Sequence, residues 1–210
     1  MSNIHFANLN WHGGRMSNRL AKQMEFILEL DKLKKIQRQT YLADASRKEN
    51  DAEHSWHLAI MAMLLGEHAN ETCDVLKVIK MVLIHDVIEI DAGDTYAYDM
   101  KEIKTKKDRE EKAADRLFHL LPSDQAGEMR KLWDEFEAME TMEAKFANTL
   151  DKVQPIMLND ASGGLSWKEH NIKKEQVLKR NEHTALGSKD LWEFCSCIIE
   201  KNVKLENLKD

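Results

Sequence analysis

The chain has 210 residues, of which 42% are hydrophobic and 32% are charged, and its formal net charge is −6. This length is enough for one substantial domain with a sizeable core. The acidic balance disfavours a broad nucleic-acid surface, which draws on clustered Lys and Arg, but it leaves room for a single small phosphate ligand.

The chain also lacks the sequence features of exported and membrane proteins. No apolar run approaches the roughly 18–20 residues needed to cross a bilayer, and the start, "MSNIHFANLN", does not follow the plan of a signal peptide. The three cysteines, Cys73, Cys195 and Cys197, have the spacing of neither a disulfide framework nor a zinc ribbon. We therefore expect a reduced, cytoplasmic protein without a membrane or a nucleic-acid polymer as partner.

Helical spacing of apolar residues recurs along most of the chain, with Ser17 as a candidate N-cap of the first helix and "NDAE" as a capping box. The predicted helices span 16–37, about 50–69, 72–89, 99–120, 123–139, 141–159, 167–182 and 188–204. Gly93 interrupts the chain after the third helix, and "SGG" at 162–164 predicts a turn. No strand pattern of convincing length is present, so the sequence predicts an all-α single domain over 1–210, with its core at about 20–200.

The stretch "LIHDVIEIDAGD", residues 83–94, begins as a buried run and then places His85 beside Asp86, with Glu89, Asp91 and Asp94 following and no Lys or Arg among them. Buried carboxylates without partners are costly. Positions three and four apart share a helix face, so His85 and Asp86 both lie above Glu89. A divalent cation explains this cluster, because imidazole and carboxylate together suit Mn, Co, Fe, Ni, Zn or Mg.

Two ligands are too few for such a cation, and two other predicted helices supply candidates. His54 lies in the first turn of the helix that begins "NDAEHSWH", and Asp151 lies in the otherwise apolar stretch "FANTLDKVQPIM". Two neutral imidazoles and two carboxylates balance the charge of one dication. An octahedral ion would keep two positions open, as catalytic metal sites do.

The ordered set His54, His85–Asp86 and Asp151 resembles the signature of the HD-domain metal-dependent phosphohydrolases. "NDAEHSWHLA", "HDVIEIDAGD" and "LDKVQPIM" resemble more closely the branch that contains the bacterial 5′-deoxynucleotidases and their human HD-domain-containing relatives. The resemblance covers roughly residues 20–200 by ordered motifs. It implies a helical HD fold and one divalent metal bound by these four residues.

The resemblance also implies a homodimer, nucleoside 5′-monophosphate substrates that are usually deoxynucleotides, and further site residues. The acid of the family one turn past the HD pair falls on Glu89, which is close enough in sequence to orient water or relay a proton. The acid of the family that contacts the sugar falls on Asp94. The phosphate-binding arginine falls on Arg38 in "LKKIQRQTYL". In the best-known bacterial members a tryptophan follows this arginine, whereas Gln39 follows here and Tyr41 comes two residues later. The resemblance thus implies phosphate contact by Arg38, but not strict selectivity for 2′-deoxyribose.

Three alternatives remain open from the sequence. Arg38 could cap the end of the helix predicted over 16–37, where positive charge is favoured. The substrate could be another nucleotide ester, such as a triphosphate, a cyclic nucleotide or an alarmone. The protein could also be a helical binding module whose metal is structural. Whichever of these alternatives holds, His57, three residues after His54 on the same helix face, could also touch the metal.

Overall fold

The computed structural model describes residues 10–11, 14–15, 17–93 and 103–210. Helices make up most of this part. They are α1 Asn18–Leu30, α2 Asp51–Leu65, α3 Val75–Ile84, α4 Glu89–Ala92, α5 Ile103–Phe118, α6 Ser123–Ala138, α7 Met142–Ala161, α8 Leu165–Glu169, α9 Lys174–Arg180 and α10 Lys189–Lys204. Short 3₁₀ segments lie at Asp31–Lys35, Gly66–His68, His85–Ile88 and Thr184–Leu186. The all-α prediction is confirmed, and no described helix is long and apolar enough to span a membrane.

Two small antiparallel hairpins accompany the helices. One pairs β1 Asn10–Trp11 with β2 Gly14–Arg15, and the other pairs β3 Gln37–Tyr41 with β4 Lys48–Asn50. The sequence showed no strand pattern of convincing length, and neither hairpin was predicted from it. Its strands read "QRQTY" and "KEN", polar segments without the apolar alternation that marks a half-buried strand.

The first long helix is shorter than predicted. Ser17 caps α1 by accepting the Leu20 amide hydrogen, as expected, but the α-helix ends at Leu30 rather than near residue 37. A 3₁₀ turn follows, and Ile36 is extended. Arg38 therefore lies on β3, and the alternative in which it caps a helix end is wrong. The helix predicted over 167–182 is likewise divided into α8 and α9.

The capping box at the start of α2 forms as predicted. The Asn50 side chain accepts the Glu53 amide hydrogen at 3.0 Å, and the Glu53 carboxylate accepts the Asn50 amide hydrogen at 3.1 Å. This reciprocal pair satisfies two amide groups that the first turn of a helix leaves without partners. It also fixes the position of His54 in the first turn, where the imidazole is fully buried.

The segment after α3 changes its helical form at the residues of interest. α3 ends at Ile84, a 3₁₀ turn carries His85–Ile88, and α4 follows as one short turn. Gly93 ends α4 with φ at +77°, a left-handed conformation that glycine adopts without steric cost. The predicted interruption at Gly93 is confirmed.

Helix α7 lies at the centre of the packing, in contact with α2, α3, α6 and α10. Its buried apolar residues, including Phe146, Leu150 and Val153, join those of α2 and α3 in one hydrophobic cluster. A second cluster contains Val87 and Ile88 together with apolar residues of α1 and α5. The polar residues of the candidate site are therefore held by helices that are each anchored in a core.

Candidate active site

Three helical segments bring two imidazoles and a carboxylate to one point. Ligand atoms of His54 from α2, His85 from the 3₁₀ turn and Asp151 from α7 all lie within 4.8 Å of one another. His54 Nε2 is 3.1 Å from Asp151 Oδ1, and His85 Nε2 is 3.8 Å from the same oxygen. The exposed fractions of the three residues are 0%, 5% and 9%. These three could hold a metal ion.

The environment of His85 fits that use. Its Nδ1 lies 2.8 Å from the Val82 carbonyl oxygen, which requires Nδ1 to carry the proton and donate it. Nε2 then presents a lone pair, and this buried atom makes no well-aligned hydrogen bond in the part of the chain that the structure describes. A ring fixed through Nδ1 with Nε2 left as an acceptor is the usual state of a metal-binding histidine.

Asp86 stands at the edge of this cluster. Its Oδ1 lies 3.2 Å from His85 Nε2, and its Oδ2 lies 4.0 Å from His54 Nε2. Arg38 Nη1 donates to the same Oδ2 at 2.8 Å, and Arg38 Nη2 is 3.9 Å from Asp151 Oδ1. The four sequence-predicted ligands and Arg38 thus converge, although Asp86 lies outside the tightest group of three.

Burial and neighbouring charges shift the pKa values of His54, His85 and Asp151. Burial lowers the pKa of His54 to about 4, so this ring is neutral at pH 7. Burial also disfavours the charged form of His85, but the Asp86 and Asp151 carboxylates together outweigh burial and raise the His85 pKa. For Asp151, burial opposes ionisation, whereas the Lys152 ammonium and the two imidazoles hold its carboxyl pKa well below 3.8.

A cavity of about 190 Å³ opens beside the cluster. Glu89, with an exposed fraction of only 5%, lines it one turn beyond Asp86, as the sequence predicted. The remaining charged lining residues are Arg38, Lys106, Glu110, Glu137, Lys152 and Arg180. Cations and acids of six different elements therefore face one opening next to the imidazoles.

Sequence reasoning missed several polar residues around the cluster. Lys152 Nζ lies 2.5 Å from Asp151 Oδ2, and Glu49 and Asp51 lie 3.6 and 3.4 Å from the Arg38 guanidinium. Lys152 was detectable as the neighbour of a candidate ligand in "LDKVQP". Glu49 gave no signal of its own, because only the pairing of β3 with β4 brings it beside Arg38.

The other residues that the sequence singled out either lie outside the described residues or are not part of the cluster of His54, His85 and Asp151. Asp94 lies outside the described residues. Neither Gln39 nor Tyr41 lines the cavity: Gln39 accepts a hydrogen bond from Lys48, and Tyr41 donates one to Glu169. His57 contacts the Gln154 amide nitrogen at 3.3 Å and is not among the three residues that approach one another most closely.

Comparison with known proteins agrees with this geometry. A family model described as HD domain matches residues 30–192, which is most of the chain. The chain belongs to the HD-domain family. Human 5′-deoxynucleotidase HDDC2 is 28% identical over 158 residues, covering 75% of this chain and 73% of the human protein. The bovine protein of the same name is 31% identical over 145 residues, covering 68% and 69%.

One solved structure has a higher sequence identity to this chain than these two relatives. The crystal structure of a predicted metal-dependent phosphohydrolase from Magnetospirillum magnetotacticum MS-1 is 48% identical, with a TM-score of 0.87. It covers 92% of this chain, and all of that protein is covered. The expectation of an HD-domain phosphohydrolase is confirmed.

Proposed function

We propose that this HD-domain hydrolase is a phosphomonoesterase that releases phosphate from nucleoside 5′-monophosphates, with deoxynucleotides preferred. The convergence of His54, His85 and Asp151 on one point beside a cavity lined by Arg38 carries the proposal. The names of the human and bovine relatives support the substrate class. We propose further that residues 1–210 form a single HD domain.

The same proposal assigns one divalent metal to His54, His85, Asp86 and Asp151. Imidazole nitrogen and carboxylate oxygen suit first-row transition ions such as Mn, Fe, Co, Ni or Zn, and the donor set admits Mg less readily. A bound dication supplies Lewis-acid activation of water and neutralises charge on the phosphate. The buried lone pair of His85 Nε2 supports this assignment, because a buried acceptor without a partner is unfavourable.

The chain's own residues then position the ester. Arg38 can grip two phosphate oxygens, since a guanidinium presents its donors as a planar fork. Its contacts with Glu49, Asp51 and Asp86 hold the guanidinium at the cavity wall. Glu89 is the proposed acceptor of the proton from the attacking water. Asp94 is the proposed acceptor of a sugar hydroxyl, as the family resemblance implies.

Assays on purified protein test the proposal. With Mn²⁺ or Co²⁺ added, the protein should release inorganic phosphate from nucleoside 5′-monophosphates, and faster from the 2′-deoxy forms. Nucleoside 3′-monophosphates serve as matched controls of identical composition. Release of triphosphate, pyrophosphate or a linear nucleotide from other esters, with 5′-monophosphates left intact, would instead assign another nucleotide ester as substrate. No turnover with any metal would leave a structural-metal module as the correct interpretation.

A homodimer in the cytoplasm completes the proposal. Helix α2 is apolar on its outer side as well, where Trp56, Met63 and Leu64 expose 63%, 64% and 69% of their surface. Leu76 of α3 exposes 62%. Exposed apolar residues grouped on neighbouring helices are typical of protein interfaces, and the cysteines are free thiols, as expected in a reducing compartment. Met63→Glu should convert a dimer measured by light scattering into a monomer, whereas Lys80→Glu, also on an exposed site, should not.

A further inference from the structure

Gln154 lies one turn beyond Asp151 on α7 and is completely buried. Its side-chain amide is surrounded by three polar groups. The amide nitrogen Nε2 lies 2.8 Å from Glu49 Oε2 and 3.3 Å from His57 Nδ1, and the amide oxygen Oε1 lies 3.1 Å from His54 Nδ1. The amide therefore links a buried acid on β4 to a proposed metal ligand on α2.

The surrounding groups determine which way this amide points. Glu49 Oε2 lies 2.8 Å from the Gln154 amide, and Glu49 Oε1 faces the Arg38 guanidinium at 3.6 Å, so this carboxyl group serves as an acceptor on both sides and the NH₂ group of Gln154 faces it. His57 Nδ1 accepts the second hydrogen of the same nitrogen. The reversed amide would place its oxygen against the Glu49 oxygens, leaving buried acceptors opposed at a cost of about 1–3 kcal/mol each. Oε1 consequently faces His54 and accepts the hydrogen of its Nδ1.

The orientation of the Gln154 amide determines which tautomer His54 adopts. A neutral imidazole has one N–H, and if Nδ1 carries it, Nε2 presents a lone pair. That lone pair points towards Asp151 Oδ1 at 3.1 Å. Two electron-rich atoms so close repel each other unless a cation lies beside them, which is the arrangement that a metal site needs. In the metal-free protein, Arg38 Nη2 at 3.9 Å and Lys152 Nζ at 2.5 Å from the Asp151 carboxylate reduce this repulsion.

We propose that Gln154, oriented by Glu49, is a positioning residue that holds His54 in the tautomer whose Nε2 faces the metal. The inference rests on the metal assignment made above and adds two residues to it. His85 is fixed by a backbone carbonyl, whereas His54 depends on side chains alone. Glu49 Oε1 also lies 3.6 Å from Arg38 Nε, so one buried acid orients both the metal-facing and the phosphate-facing groups.

Replacement of Gln154 by methionine tests the proposal. Gln154→Met keeps the length of the side chain but removes the acceptor for His54 Nδ1. In the metal-free wild type at pH 7, long-range ¹H–¹⁵N spectra should show His54 protonated at Nδ1. In the variant, we expect a shift towards the Nε2–H form, which donates to Asp151. Calorimetric titration with Co²⁺ alone should show a dissociation constant about 10- to 100-fold higher than that of the wild type.

Two further variants separate positioning from general destabilisation. The double variant Glu49→Gln with Gln154→Glu exchanges the two side chains. The carboxylate at position 154 would still accept from His54 Nδ1, and the amide at position 49 would donate to that carboxylate. This variant should therefore restore the Nδ1–H tautomer and most of the Co²⁺ affinity. Asn202→Leu removes a different fully buried amide, which donates to Asp160 and to the Ile198 carbonyl. It should lower the melting temperature but leave Co²⁺ affinity unchanged.

The outcomes are distinguishable. If the wild type binds no Co²⁺, the metal assignment itself fails. If the wild type binds Co²⁺ and Gln154→Met binds it equally well with an unchanged His54 tautomer, the metal assignment stands and the role of Gln154 is refuted. Loss of affinity in Asn202→Leu to the same extent as in Gln154→Met would reduce the effect to fold stability and would also overturn the proposal.

Discussion

The two sides of the cavity differ in how firmly their polar groups are held. On the inner side, His54, His85 and Asp151 are each at most 9% exposed. On the outer side, Glu137 and Arg180 are exposed and Lys106 is half-buried. Charges on the outer side are screened by water, whereas the buried groups interact in a low-dielectric environment. We therefore expect substitutions of the inner residues to abolish metal binding and activity. Substitutions of the outer residues should change the kinetic constants only moderately.

The largest effect is expected from removing an inner carboxylate. Asp151→Ala, and equally Asp86→Ala, should abolish Co²⁺ binding and lower kcat/KM by at least roughly 1,000-fold, which corresponds to about 4 kcal/mol. Calorimetry and phosphate release measure the two losses. Asp160→Ala is the matched control, because Asp160 is a half-buried acid on the same helix that pairs with Lys201 and Asn202 and does not line the cavity. Retained activity in Asp86→Ala would falsify its assignment as a ligand.

The inner side should also produce a pH dependence in the metal-free protein. Burial lowers the pKa of His54 from 6.5 to about 4, so its contribution to stability is fully present above pH 6.5 and is lost as the pH falls through 4. In urea unfolding, the wild type should lose about 3 kcal/mol relative to His54→Gln between pH 7 and pH 4.

Glu49 contributes a pH dependence of stability with the opposite sign in that experiment. Burial raises the pKa of Glu49 to about 7, so its contribution to stability is present below pH 4.5 and declines as the pH rises towards 7. Both proteins contain Glu49, and the difference between them cancels its effect. Parallel stability curves for the wild type and His54→Gln would contradict the low pKa of His54.

Glu89 lies where the two sides meet, and its substitution should separate binding from chemistry. Glu89→Gln keeps the shape of the side chain but removes its ability to accept a proton. We expect Co²⁺ affinity within about twofold of wild type, and kcat lower by roughly 100-fold, as for loss of a general base. If metal binding falls together with kcat, Glu89 belongs to the metal site rather than to proton transfer.

The smallest effect should come from the outer side. Arg180→Ala removes an exposed cation at the cavity, and solvent screening limits its influence. KM for a nucleoside 5′-monophosphate should rise by roughly two- to fivefold at low salt with kcat unchanged, and the difference should disappear at about 1 M salt. Lys179→Ala, an exposed neighbour on the same helix that does not line the cavity, should have no such effect. A loss of kcat in Arg180→Ala would show that the outer side also takes part in the chemical step.

Local sequence rules predicted the elements that carry the residues on the inner side of the cavity. The capping box at Asn50 fixed the start of α2 and hence the place of His54 in its first turn. The change from an apolar run to His85 and Asp86, followed by Gly93, indicated a helix end with a function. An isolated acid in an apolar helix indicated Asp151. Each of these patterns spans only a few residues, so it can be recognised without knowledge of the fold.

The same local rules did not predict the hairpin of β3 and β4. Strand prediction depends on alternating apolar residues facing a core. Here the residue that faces inward beside the cluster is Arg38, and its partner strand carries Glu49, so the residues that face the cluster are charged rather than apolar. The sequence therefore predicted a longer α1, and only the family resemblance directed attention to Arg38.

The sequence by itself determined the helical class, the family and the four residues proposed to bind metal, because caps, periodicity and the HD pair are local patterns. Only the tertiary structure decided that Arg38 reaches Asp86 across 48 positions and that Gln154 meets His54 across 100. Hydrogen bonds between distant segments depend on how α7 packs against α2 and the hairpin. No single segment contains that information, since it arises from the burial of their common core.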